Sequence, residues 1–100
     1  MTGTYSTELY RQEGDAFRVV TLNVNADGSV RVDAQDMGKV VEEIWGDDDY
    51  EFWVDVSAAE LHKLVFALIR EKYSGRSSAV DEFRAFCEKE GIKNKWDSWI

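Results

Sequence analysis

The stretch Tyr50-Glu51-Phe52-Trp53-Val54-Asp55-Val56-Ser57-Ala58-Ala59-Glu60 decides the fold, because it carries the chain out of a strand and into a helix. Alternation is strict from Tyr50 to Val56. Tyr50, Phe52, Val54 and Val56 share one face, and Glu51, Trp53 and Asp55 share the other. Ser57 and Glu60 then have the spacing of a capping box, in which the Ser57 hydroxyl accepts from the backbone N–H of Glu60 and the Glu60 carboxylate accepts from the N–H of Ser57. Leu61, Leu64, Val65, Leu68 and Ile69 follow at helical spacing and predict a buried stripe on a helix that runs to Tyr73.

Toward the N-terminus the pattern predicts three strands, at Thr4 to Gln12, Ala16 to Asn25 and Ser29 to Ala34. Val20, Leu22 and Val24 alternate with Val19, Thr21 and Asn23, while Val30 and Val32 point away from Arg31 and Asp33. Asn25-Ala26-Asp27-Gly28 is turn chemistry, since Gly28 can take the positive φ of a short hairpin loop. These strands read as an antiparallel meander. A helix capped by Asp36 is predicted next, with Met37, Val40, Val41, Ile44 and Trp45 on one stripe and Gly46 as its terminator.

Toward the C-terminus, Ser74-Gly75-Arg76-Ser77-Ser78 is a loop, and Ser77 or Ser78 can cap a helix carrying Val80, Phe83, Phe86 and Cys87 before Gly91. The tail from Ile92 to Ile100 alternates, which predicts a last strand with Ile92, Trp96 and Ile100 on one side and Lys93, Lys95, Asp97 and Trp99 on the other. The expected architecture is α+β: a meander, a helix, a central strand, two helices and a C-terminal strand. One hundred residues without a linker or repeat suit one domain over 1–100.

Charge is the most informative feature of the composition. The net charge is −8, and seven of the twenty acids (Glu42, Glu43, Asp47, Asp48, Asp49, Glu51, Asp55) fall in fourteen consecutive residues without a base. The rest of the chain is nearly neutral. Glu42 and Glu43 would sit in the last turn of the predicted helix, where the helix dipole disfavours negative charge by about 0.3–1 kcal/mol each. Stability alone does not favour that placement. A field of this sign repels phosphate backbones and anionic membranes and attracts a basic partner, so direct nucleic-acid binding is not expected.

Other classes find little support. A single cysteine, Cys87, excludes an intrachain disulfide and suits a reducing compartment such as the cytoplasm, and the N-terminus lacks the basic start and apolar block of a secretion signal. The longest apolar run, Leu64 to Ile69, is too short to span a membrane. The run from Asp47 lacks the glycine and glutamate of a calcium loop, having Phe52 and Ala58 at those positions, so a solvated loop or a protein-binding patch is expected there rather than a metal. His62 lies off the apolar stripe, and Cys87 between Phe86 and Glu88 reads as a small buried residue. No nucleophile motif, zinc motif or phosphate-binding glycine loop occurs, so neither an enzyme nor a cofactor is expected.

Trp53 has two readings. It is open within an acidic frame, or it is covered by the terminal strand, with Lys93 and Lys95 across from Glu51 and Asp55 and Trp99 packed on Trp53.

The segment Asp48-Asp49-Tyr50-Glu51-Phe52-Trp53-Val54-Asp55-Val56-Ser57-Ala58, with Glu82-Phe83-Arg84-Ala85-Phe86-Cys87-Glu88-Lys89-Glu90-Gly91-Ile92 and the Trp-rich end, resembles small acidic bacterial domain proteins of the toxin-immunity type. The resemblance implies an inhibitor that neutralises a toxin. It covers roughly 48–100 and transfers no functional residue, since its motifs bear the fold. The expected function is therefore a small acidic inhibitor that mimics nucleic acid and blocks a basic cleft of a toxin or nuclease. Glu42, Glu43, Asp47, Asp48, Asp49 and Glu51 supply the field, and Trp45, Tyr50 and Trp53 are candidate anchors. A phage-encoded inhibitor of a host nuclease complex fits as well, and a structural homodimer is the alternative from another class.

Overall fold

The computed structural model describes residues 3–38 and 49–99. Among these residues four antiparallel strands in a meander precede two helices, an α+β arrangement. Strands β1 (Gly3–Gln12), β2 (Ala16–Asn25), β3 (Val30–Gly38) and β4 (Asp49–Val56) hydrogen-bond in the order β1-β2-β3-β4. A 3-10 turn at Ala58–Glu60 leads into α1 (Leu61–Tyr73), and α2 (Ala79–Lys89) follows. The chain divides into two compact units, Met1–His62 and Lys63–Ile100.

The sheet unit is held by register. β2 and β3 pair without a shift from Ala16 opposite Gly38 to Val24 opposite Val30, and β3 and β4 pair from Val30 opposite Val56 to Met37 opposite Asp49. One face therefore gathers Val20, Leu22, Val24, Val32, Ala34, Phe52 and Val54, with Arg18 and Asp36 opposite each other at one end. The other face carries Arg31, Asp33, Gln35, Asp49, Glu51, Trp53 and Asp55. Ala34 is the one buried residue of this unit among those described, so the sheet owes more to its ladders and cross-strand pairs than to a deep core.

The hairpin between β2 and β3 forms as expected. Gly28 donates to the Asn25 carbonyl at 2.9 Å with φ +87, and Asn25 donates to the Ser29 carbonyl at 2.9 Å. This is a three-residue loop built on a turn with a left-handed glycine. Asp27 reinforces it by accepting from both the backbone N–H and the hydroxyl of Ser29, at 2.9 and 2.6 Å.

Four expectations are corrected. Asp36 does not cap a helix and Met37 does not begin one: both lie in β3, where Asp36 faces Arg18 and accepts two bonds from its guanidinium, at 2.5 and 2.6 Å. Strand pairing with β2 claims residues that the apolar spacing had suggested for a helix; its remaining positions, Val40, Val41, Ile44, Trp45 and Gly46, lie outside the described residues. Ser57 makes no side-chain cap bond, because the Glu60 N–H donates to the Ser57 carbonyl at 3.0 Å and closes a 3-10 turn. Ser78 stands at the N-cap position of α2, but its hydroxyl bonds the Glu82 carboxylate rather than a backbone N–H.

The tail is the fourth correction: 92–99 forms no strand. Gly91 donates to the Glu88 carbonyl at 3.3 Å and Ile92 to the Cys87 carbonyl at 2.8 Å, the bond pair of a Schellman motif. Asn94 then donates to the Ile92 carbonyl and to the Glu88 carboxylate, at 2.9 and 2.7 Å, and Arg84 lies 5.6 Å from the centre of the Trp96 ring. Helix α2 thus captures the chain that follows it, and local side-chain bonds replace a ladder.

In the helical unit Tyr73 and Cys87 are buried, and Tyr73 meets Phe83 edge to face at 5.9 Å. Burial raises the Tyr73 phenol above its ordinary pKa, with Glu82 adding to the effect. Val65, Leu68, Ile69, Phe83, Phe86 and Ile92 line an apolar groove of about 400 Å³. The α1 stripe forms one wall of that groove and remains exposed at Val65, Leu68 and Ile69, where a buried stripe had been expected.

Two outcomes test this architecture. A methyl group on Gly38 would lie 2.6 Å from the Asp15 carbonyl oxygen, at a φ of +126. Gly38→Ala should therefore destabilise the sheet by about 1–3 kcal/mol, read as a lower denaturation midpoint. Cys87, buried and free, should react with a thiol reagent only as fast as the helical unit opens, and rapid modification under native conditions would contradict its placement.

Candidate functional site

The face of the sheet that carries Trp53 is the candidate surface. β3 contributes Arg31, Asp33 and Gln35 to it, and β4 contributes Asp49, Glu51, Trp53 and Asp55, because alternate residues of paired strands share a face. Register sets Arg31 directly opposite Asp55, Asp33 opposite Trp53, and Gln35 opposite Glu51.

One cation serves this part of the face. Arg31 donates to both Asp55 oxygens, at 2.7 and 3.1 Å, and its guanidinium lies 4.7 Å from the centre of the Trp53 ring. The bond from Arg31 holds Asp55 below the usual carboxylate pKa, and the same bond raises Arg31. Asp49 accepts from the neutral Gln35 amide at 3.0 Å and Asp33 from the neutral Asn23 amide at 3.5 Å, while Arg31 reaches Asp33 only through its charge and not through a hydrogen bond. Glu51 is exposed beside them. Among the described residues of β3 and β4, four carboxylates stand against one guanidinium on this face, around a half-exposed indole, 51% accessible.

A matching cluster stands on the apolar face. Arg18 bonds Asp36 and lies 5.4 Å from the centre of the Phe52 ring. Its bond lowers the Asp36 pKa in the same way.

Of the nine expected contact residues, Asp49, Glu51 and Trp53 share the candidate face. Tyr50 lies on the opposite face, its ring 5.4 Å from that of Phe52. Glu42, Glu43, Trp45, Asp47 and Asp48 lie outside the described residues. The terminal strand expected to cover Trp53 does not form, since 92–99 is not a strand, and Asp55 pairs with Arg31 of the neighbouring strand. Arg31, Asp33 and Gln35 were missed as members of the surface. Their alternation was visible, but ending β3 at Ala34 hid the register that brings them beside β4.

Among the described residues no three His, Cys, Asp or Glu side chains converge as a metal site would require, and no helix is long and apolar enough to cross a membrane. Comparisons with protein-family models, with curated proteins and with solved structures find no match. The surface itself therefore has to carry the functional reading.

The two arginine-paired carboxylates of the sheet, Asp36 and Asp55, are both depressed, as are Asp27 and Glu82, and this fixes the sign of a pH response. A group whose folded pKa lies below its unfolded value contributes stability that is present above the unfolded value, about 3.9 for Asp, and is lost as pH falls through the folded one. Unfolding by urea should therefore become easier below about pH 4, and Asp36→Asn with Asp55→Asn should flatten that dependence. An unchanged acid slope in the double variant would show that these pairs do not couple to folding. At neutral pH Arg31→Ala should leave the denaturation midpoint nearly unchanged, since the pair is solvent-exposed.

Proposed function

We propose that this chain is a binding inhibitor, a small acidic protein whose sheet engages a basic surface of another protein. The observation that carries the reading is the division of charge. Residues 1–62 hold fourteen acids and four bases, a net of −10, whereas 63–100 hold eight bases and six acids, a net of +2. Within the negative unit, Asp33, Asp49 and Glu51 frame Trp53, and none of them forms an ion pair with a base among the described residues.

Each part has a separate task in this reading. The field raises the encounter rate with a cationic surface and orients the approach, while a desolvated indole slows dissociation. Trp53 suits that task because Arg31 holds one face of its ring, so little rotamer freedom is lost on binding. Glu42, Glu43, Asp47 and Asp48 enlarge the charge of the same unit, with Trp45 as a further anchor, while Tyr50 faces away from this surface. The action is blocking rather than catalysis. A toxin-immunity protein and a phage-encoded inhibitor of a host nuclease complex both meet this description, and both would work in the cytoplasm.

A homodimer is the second reading. Phe52 and Val54, 40% and 68% accessible on the apolar face, favour it. Sedimentation across concentration separates the two readings, since an inhibitor of this kind needs no partner copy.

The main test uses Asp49→Lys combined with Glu51→Lys. The variant should keep a native far-UV spectrum and bind the partner recovered from the native host with an association rate lower by about tenfold or more at low salt. The difference should largely vanish near 1 M salt, where the screening length is about 3 Å. Equal rates for both proteins at low salt would remove the acidic surface from the account.

A further inference from the structure

The outer edge of β4 adds a second, independent feature to the acidic face. Among the described strands β4 stands last in the sheet order, and it pairs with β3 through eight consecutive positions without a register shift. A regular edge strand presents a row of outward N–H and C=O groups, a template for one more strand. β1, the other edge, is interrupted by two shifts, between Gly3 and Tyr5 and between Glu8 and Tyr10. Irregularities of that kind blunt an edge. β4 has no shift, no proline and no lysine.

The side chains along this edge select what can add. Glu51, Trp53 and Asp55 flank one side of it, and Phe52, Val54 and Val56 flank the other. A second β4 is a poor occupant. The two fullest antiparallel registers that keep the apolar residues together set Asp49 against Asp55 or Glu51 against Asp55, and a parallel register stacks each acid on itself. Like charges directly opposite are destabilising. A strand that alternates Lys or Arg with apolar residues meets the reverse situation, because its bases face Asp49 and Glu51 while its apolar residues extend the row of Phe52 and Val54.

We infer that the edge from Glu51 to Val56 is a strand-addition site for an extended segment of the partner with alternating basic and apolar residues. This rests on the inhibitor reading and gives it a mode of contact. Main-chain bonds supply affinity, and alternate side chains supply selectivity. It also bears on a second copy of this chain, which the acids exclude from the edge while a basic strand is admitted.

The probe is a nine-residue peptide alternating Lys and Val, added at low salt to the whole protein labelled with ¹⁵N. Amides in Glu51–Val56 should gain protection from hydrogen exchange while those of β1 remain unchanged. A peptide of the same composition with its lysines in one block should bind about tenfold more weakly, and so should the alternating peptide N-methylated along one edge. Glu51→Lys, an exposed change that leaves the far-UV spectrum intact, should weaken the alternating peptide by a similar factor. If all three peptides bind equally and still depend on Glu51, the acidic surface acts by charge alone and strand addition is overturned. If no lysine peptide binds and the charge-reversed variant associates with the partner at the normal rate, the inhibitor reading fails with it.

Discussion

Register between β2, β3 and β4 is the constraint on which the sheet depends. It sets Arg18 opposite Asp36 on one face and Arg31 opposite Asp55 on the other, and it places an aromatic of β4 diagonally beside each guanidinium. A slip of one residue would move every side chain of a strand to the wrong face and separate both pairs. Each cluster is worth little alone, since cross-strand pairs of this kind contribute about 0.2–1 kcal/mol. Their joint effect is specificity: only one alignment satisfies both arginines, both aspartates and the valine rows together. A sheet with a single buried residue among those described has few other means of choosing its register.

The same register explains why the negative face is not simply neutralised. The nearest described base, Arg31, is committed twice, to Asp55 by two hydrogen bonds and to Trp53 by stacking, so Asp33 feels its charge only at a distance and neither Asp49 nor Glu51 pairs with it. Neutral amides occupy the positions where a further lysine or arginine would quench the charge, as Gln35 does at Asp49 and Asn23 at Asp33. An amide orients a carboxylate without cancelling its field. The result is an ordered group of acids in which Asp49 and Glu51 have no ion pair among the described residues, an arrangement that costs self-repulsion.

Much of this arrangement could be read from the residues, and the failures have physical causes. The four strands, the hairpin at Asn25 to Gly28 and both helices follow from alternation, turn chemistry and helical spacing, which are local signals. Met37 and Asp36 went astray because an apolar residue after an aspartate looks like a capped helix start, while the competing partner, Arg18, is eighteen residues away. The tail went astray for the opposite reason. Its alternation is genuine, but a strand requires a neighbour, and Asn94 and Ile92 bind the end of α2 first. Half of the candidate surface was likewise invisible, since Asp33 and Gln35 join it only through a pairing across 39–48.

The placement of acids on β4 rather than on an inner strand has its own logic. An inner strand pairs on both sides, so a carboxylate there can act only through the face of the sheet. On an edge strand the same carboxylate also borders unpaired main chain, and it influences which chains can approach that edge. Lysine is the common guard of an exposed edge and would repel a basic partner. Asp49, Glu51 and Asp55 would guard against self-association by the same repulsion while remaining attractive to cations. One set of charges can therefore keep the free protein apart from its copies and draw in a basic strand, which accounts for acids at this edge better than solubility does, because solubility would be served by either sign.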